Sequence, residues 1–354
     1  MKISIGMLAW NEESKIAQAI GSLFRQSVFS SRWNEIPVSH WELIIVPNGC
    51  TDSTAKVASD ALRQCLVSME EKNVSATIVE VGEPGKSNAW NRYIHDFSRQ
   101  DSDLVIMVDS DIEFDHPDTI FNSVKLLVDF PAYIVAVDKP LKDFVKKKKR
   151  SLIEELSLHF SNERFERDPA IAGSFYCARG AAIRNIWMPK GLPGEDGFLK
   201  SMLVTDCFRS EVDLSRIARA ENASHFYEGL SRPKAIFNHE LRMVIGTALN
   251  CYFTWDFLKF ATDPKGPGAG YLIRNWLESD PNWYGEFIAN EIRNRGWWVL
   301  PKGLVFRRLT RLRGMSLYNK LKRMPLALFA FLFDCAVCFA ANRRLKKGMA
   351  IGYW

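Results

Sequence analysis

Apolar residues fall in short blocks along the first two thirds of the chain, and polar turn residues close each block. Ile3 to Leu8, Glu42 to Val46, Ala76 to Val81, Leu104 to Val108 and Tyr133 to Val137 read as strands. Between them the spacing becomes helical. Ile16, Ile20, Leu23 and Phe24 form one apolar stripe, and Ala55, Ala58 and Leu62 a second. Trp90, Tyr93 and Phe97 form a third, and Phe121, Val124 and Leu127 a fourth. Strands alternating with helices predict an α/β chain, with a mostly parallel sheet and helices on both faces. Gly173 to Gly180 adds a strand and turn, and Leu192 to Leu199 a glycine-bounded turn opening a helix. Past about Arg232 the pattern changes to long helical segments rich in aromatics, broken at Asp263-Pro264-Lys265-Gly266-Pro267-Gly268. The expected division is therefore an α/β domain over 1–235 and a mainly helical region over 236–354.

The strand exits carry the chemistry. In an open α/β sheet, ligands bind beyond the carboxyl ends of the strands. Leu104 to Val108 is followed by Asp109-Ser110-Asp111, two carboxylates one residue apart. Paired oxygen ligands suit a hard divalent cation, Mg²⁺ or Mn²⁺, that also holds a diphosphate. The alternative for an isolated pair is two solvated turn aspartates. Lys86 follows a Gly-Glu-Pro-Gly turn and opens a helix, a position suited to anionic groups; taken alone, it is equally an exposed lysine. Lys146 to Arg150, five consecutive cations, reads as a solvated loop or as a lid meeting phosphate.

Composition bounds the picture. The chain has 354 residues, 47% hydrophobic and 25% charged, as expected of a globular protein. Of its seven cysteines only Cys335 and Cys338 have Cys-x-x-Cys spacing, inside an apolar run and with no second Cys or His pair to complete a ligand set, which argues for reduced thiols in a cytoplasmic setting and against structural zinc. The start runs straight into a strand and does not read as a signal peptide. Charge is uneven. From Val299 to Trp354 there are twelve Lys/Arg against the single acid Asp334, a net +11 in a chain of net +6, so residues 1–298 sum to −5. Such a tail is either a solvated basic fringe or a surface for an anionic partner. Within it, Pro325 to Ala341 is almost wholly apolar between two basic clusters. The run is short for a span of about 20 residues, and Asp334 near its middle would cost about 2.5–3.5 kcal/mol at a bilayer centre. The expectation is a helix lying in the membrane interface, the alternative a helix buried in the protein's own core.

Taken together these stretches resemble the family 2 glycosyltransferases of the GT-A fold. Asn11-Glu12-Glu13 resembles the family's Tyr-Asn-Glu opening, Asn48-Gly49-Cys50-Thr51-Asp52 its Asp-Gly-Ser-Thr-Asp, and Gly85-Lys86-Ser87-Asn88-Ala89-Trp90-Asn91 its Gly-Lys-x-x-Ala-Leu-Asn. Asp109-Ser110-Asp111 resembles its Asp-x-Asp (the DXD motif), and Glu195-Asp196 the pair supplying the base in inverting members. Five motifs in order on predicted strand exits make a specific signal over roughly residues 1–245. Asn48 departs from the usual Asp. His239-Glu240-Leu241-Arg242-Met243 stands where processive synthases carry Gln-x-x-Arg-Trp, which argues against a processive polymerase.

The resemblance implies roles for named residues. Asp111 would hold the metal directly, with Asp109 on the ribose or the metal, and His239 as a third ligand or a structural residue. Glu12, Asn48, Asp52 and Lys86 would join them around the nucleotide diphosphate. Asp196 would be the general base, with Glu195 beside it orienting the acceptor; an N-terminal helix cap is the alternative for this pair. Arg179 and Arg242 would meet phosphate or form salt bridges. The implied activity is metal-dependent, inverting transfer of one sugar from a UDP-sugar to a hydroxyl or phosphate of a glycan or lipid-linked acceptor. The implied location is cytoplasmic, on the inner face of the cell membrane, with no nucleic-acid partner. A nucleotidyltransferase, or a non-catalytic membrane- or nucleic-acid-binding protein on a transferase scaffold, are the competing readings. Residues 1–25 lack the Gly-rich basic loop expected of the former.

Overall fold

The structure is a computed structural model that describes residues 1–69, 73–151, 153–155, 157–158, 170–310 and 312–348. Eight strands form one sheet: β1 (Lys2–Ala9), β2 (His40–Pro47), β3 (Val74–Ile78), β4 (Leu104–Asp109), β5 (Glu113–Phe114), β6 (Val135–Lys142), β7 (Phe175–Arg179) and β8 (Ile217–Tyr227). Their spatial order is β3-β2-β1-β4-β7-β6-β8-β5. The block β3-β2-β1-β4 is parallel throughout, as the alternating pattern predicts. β7 then runs antiparallel to both β4 and β6, β6 and β8 are parallel, and β5 pairs antiparallel at the edge. The fold class is thus the expected α/β sheet, followed by a helical C-terminal region.

Strand alternation divides the core into two faces. Ile3, Ile5 and Met7 of β1 and Leu104, Ile106 and Val108 of β4 join α1 (Ile16–Phe24), α2 (Thr54–Leu66) and α4 (Thr119–Asp129) on one side. Leu8, Val105 and Met107 face the other side, with Trp90 of α3 (Lys86–Asn91). Tyr93 packs so closely there that a Cβ at Gly6 would lie 2.4 Å from its ring. That second cluster continues into α5 (Glu195–Val204), α6 (Pro233–Asn250), α7 (Ala269–Ser279), α8 (Trp283–Asn294) and α9 (Leu317–Lys346). The helical region and the sheet therefore share one apolar core.

Several expectations change here. β3 lies two residues earlier than the spacing suggests, set by its pairing with Trp41–Ile45. β5 and β8 were not anticipated. The five-cation run is tied down locally: Lys146 pairs with Glu113, Lys147 with Glu154 at 2.6 Å, and Arg150 donates to the carbonyls of Phe144 and Val145. Arg179 does not meet a phosphate site. Its guanidinium donates to the carbonyls of Tyr133 and Leu127 and closes the end of α4.

The apolar C-terminal run lies inside a longer helix than its own length suggests. α9 has 30 residues and is long and apolar enough to cross a membrane by length and composition. Asp334 is fully buried, yet two arginines hold it: Arg307 at 2.7 Å and Arg308 at 3.2 Å, with Glu240 of α6 completing the cluster. From Asp334 onward Val337, Cys338, Ala341 and Leu345 bury against the core. Before it, Leu321, Phe329 and Leu332 are 65%, 71% and 66% exposed. One half of the helix is self-buried and the other is not. Arg311 and residues 349–354 of the basic tail lie outside the described residues.

Candidate active site

The parallel strands β1, β2 and β4 end on one rim, where β1 and β4 are in register with Leu8 opposite Asp109. The chain leaving β1 is knitted to the chain leaving β2. Asn11, at φ 54°, accepts from the Thr51 N–H at 2.8 Å, the Glu12 N–H donates to the Thr54 hydroxyl, and Glu13 accepts from the Ser53 N–H. This leaves the Glu12 side chain facing a cleft of about 1210 Å³. Lys86, Asp109, Asp111, Glu195 and Asp196 line the same cleft, with α6 as its far wall.

Lys86 is the hub. Its ammonium lies 3.0 Å from Asp109 Oδ1 and 3.1 Å from Glu195 Oε1, so it bridges the exit of β4 and the start of α5. Burial alone would lower the lysine's pKa, but the two carboxylates outweigh it and keep it cationic. The carboxylates outnumber it. Burial, reinforced by Asp111 and Glu195 and opposed by Lys86, pushes Asp109 up to about 6. Burial and the charges of Asp111 and Asp109, opposed by Lys15, push Glu12 to about 6 as well. For Glu195, burial works upward, but Lys86, a backbone N–H and Arg242 prevail and hold it below the ordinary range. Asp111 forms no hydrogen bond or ion pair among the described residues. The rim is therefore a cluster of negative charge short of a cation.

The turn carrying Glu195 and Asp196 is held from α6. Gly194 caps α5 at φ 71°, and a Cβ there would lie 3.1 Å from Asn250 Nδ2. That amide donates to the carbonyls of Pro193 and Gly194 at 3.0 and 2.7 Å. Asp196 Oδ1 accepts from the Gly197 N–H at 2.8 Å while its residue lines the cleft.

Other residues that the motifs single out lie elsewhere, and the reasons are local. Asp52 does not line the cleft. It caps α2, accepting from the Thr54 N–H and hydroxyl and from the Glu13 N–H, and these bonds, outweighing burial, hold its pKa down. Asn48 is fully buried behind the cleft wall; its amide donates to the Glu83 carbonyl at 2.6 Å, and its Oδ1 has no partner among the described residues. His239 and Arg242 do line the cleft on α6. Among the described residues, however, no three His, Cys, Asp or Glu side chains converge to hold a metal, so His239 is not gathered with Asp109 and Asp111. Sequence reasoning missed Asn250, and it missed Ser174 in the cleft with His225 and Asp138 behind it.

Much of the sequence that builds this rim matches a known family. Residues 4–187 match the family described as Glycosyl transferase family 2. The chain belongs to glycosyl transferase family 2. The matched segment is just over half of this glycosyltransferase and carries Glu12, Lys86, Asp109, Asp111 and Ser174; Glu195, Asp196 and the C-terminal helices lie beyond it. No curated protein matches the chain. Among solved structures, glucosyl-3-phosphoglycerate synthase from Mycobacterium tuberculosis, in complex with Mn²⁺, UDP and phosphoglyceric acid, is 20% identical with a TM-score of 0.45, over 70% of this chain and 76% of that one. The same enzyme in complex with Mg²⁺ and UDP is 20% identical with a TM-score of 0.43, over 70% and 77%. A structure described as a mycobacterial protein is 21% identical with a TM-score of 0.45, over 70% and 72%.

Proposed function

We propose that this family 2 protein transfers a single sugar, with inversion, from a UDP-sugar to an acceptor hydroxyl or phosphate, and that a divalent cation assists it. The observation that carries the reading is the rim: Lys86 bridges Asp109 and Glu195, while Asp111 and Glu12 add two further carboxylates to the same cleft. The donor set fits Mn²⁺ or Mg²⁺. Two carboxylates on one turn supply hard oxygens, and Mg²⁺ in particular is commonly bound through one or two carboxylates plus substrate phosphates. Asp111 is the ligand and Asp109, already bonded to Lys86, the second. When bound, the cation neutralises charge developing on the leaving diphosphate.

The chain's own residues do the rest. Lys86 adds a fixed positive charge beside the phosphates and holds Glu195 in place. Asp196, at the opening of α5, takes the proton from the acceptor hydroxyl as it attacks the far face of the anomeric carbon. His239 and Arg242 line the same cleft from α6.

The exposed half of α9 supports a second part of the reading, that the enzyme sits on the cytoplasmic face of an anionic membrane. Leu317, Leu321, Phe329 and Leu332 are exposed beside Lys320, Lys322 and Arg323. Each Lys or Arg near such a leaflet contributes about 1 kcal/mol. The Asp334 clasp fastens the other half to the catalytic body, so the helix lies on the surface and does not cross. The direct test of the catalytic reading is UDP release from a panel of UDP-sugars. Release that depends on Mn²⁺ or Mg²⁺ is expected. Pyrophosphate release from nucleoside triphosphates would point instead to nucleotidyl transfer.

A further inference from the structure

Behind the carboxylate rim, a buried polar chain opens into the same cleft. Asp138 of β6, His225 of β8 and Ser174, just before β7, come from three separate segments. His225 Nδ1 lies 2.7 Å from Asp138 Oδ2, and its Nε2 lies 2.9 Å from Ser174 Oγ. Both His225 and Asp138 are buried, while Ser174 lines the cleft. A carboxylate only accepts, so a neutral imidazole gives its Nδ1 hydrogen to Asp138 and takes the Ser174 hydroxyl hydrogen at Nε2. Ser174 then turns lone pairs alone toward the cleft. It can accept there but not donate.

Its place is defined from both ends of the reaction. The Ser174 carbonyl accepts from the Asp109 N–H at 2.9 Å, next to the diphosphate end. At the neighbouring Gly173, a Cβ would lie 3.3 Å from Glu195 Oε1, 3.4 Å from Lys86 Nζ and 3.8 Å from Asp196 Cβ, next to the base. An in-line displacement sets the transferred sugar between leaving group and base. We propose that Ser174 accepts a hydrogen bond from a hydroxyl of the donor sugar, and that His225 and Asp138 are positioning residues that fix the direction of its lone pairs. The inference rests on the nucleotide-sugar reading above.

Calorimetry on the full chain with Mn²⁺ tests it, titrating UDP and then a panel of UDP-sugars. Ser174→Ala is expected to leave UDP affinity unchanged and to weaken UDP-sugar affinity about fivefold, the scale of one hydrogen bond. His225→Ala is expected to show the same split, and His225→Gln, which keeps an acceptor near the Nε2 position, to restore part of it. A merely structural role would move UDP and UDP-sugar together. Equal UDP-sugar affinity in wild type and Ser174→Ala overturns the proposal, and so does a parallel loss of both ligands. A wild-type protein that binds UDP but gains nothing from any attached sugar overturns it too. One that binds neither UDP nor any UDP-sugar overturns the nucleotide-sugar reading itself.

Discussion

Two aspartates, half-buried Asp109 and fully buried Asp334, carry opposite lessons. Asp334 is fully buried, but two arginines and Glu240 surround it with balanced charge, and every contact is a charge-assisted hydrogen bond. Asp109 has one lysine, which it shares with Glu195, and it stands next to Asp111 and near Glu12. The first cluster is closed and structural. It clamps α9 to α6 and fixes the cleft wall. The second is unbalanced: burial first, and then the neighbouring carboxylates, push Asp109 and Glu12 up to about 6. Unbalanced charge at strand ends marks a place for a ligand, whereas balanced charge inside a helix pair marks a fastening.

The largest effect is expected in the open cluster. Asp196→Asn keeps the shape of the turn but cannot take a proton. Turnover is expected to fall on the order of 10²–10⁴-fold with UDP binding intact, as single-turnover kinetics and calorimetry will read. In the closed cluster, Asp334→Ala leaves Arg307 and Arg308 with Glu240 alone. A loss of about 3 kcal/mol in urea unfolding is expected, the lower end for breaking a buried pair. Unchanged stability would mean that the clasp is not structural.

On the exposed half of α9, Phe329→Asp with Leu332→Asp is expected to release the protein from anionic vesicles while UDP release from donor continues. Wild-type flotation should weaken as salt rises, since screening shortens to about 3 Å at 1 M. Binding that resists both salt and alkaline wash would indicate a spanning helix.

The smallest effect concerns Glu12. Its folded pKa, about 6, lies above the ordinary 4.5, so between those values the folded state binds more protons and its stability falls as pH rises. Glu12→Gln removes that term. Without divalent cation, the variant is expected to be slightly more stable than wild type at pH 7, an advantage that shrinks as pH falls through 6 and is gone below about 4.5. Thermal melts across that range read it.

The parallel half of the sheet was legible because β1, β2 and β4 are continuous apolar runs with turn residues at their ends, and the carboxylates those exits pointed to do meet at the rim. Asn48 and Asp52 were harder to read. Their side chains look alike in sequence whether they face a ligand or a neighbouring backbone, and here the N–H groups of Glu13 and Thr54 claim Asp52. β8 was invisible because Ala220-Glu221-Asn222-Ala223-Ser224 breaks any alternation, and a register shift in its pairing with β6 falls alongside. With β8 missed, His225 could not be brought to Ser174 and Asp138, since that meeting depends on the order β7-β6-β8. The two halves of α9 were hidden for a related reason: the partners of Asp334 lie 26 and 27 residues away.

In this reading a cation completes the open cluster and brings the diphosphate with it. Calorimetric titration of UDP into wild type and Asp111→Ala, each with and without Mn²⁺, tests this most directly. Tight binding is expected only for wild type with Mn²⁺, with Asp111→Ala folded but silent. Equal UDP binding by both proteins, unaffected by the metal, would contradict it.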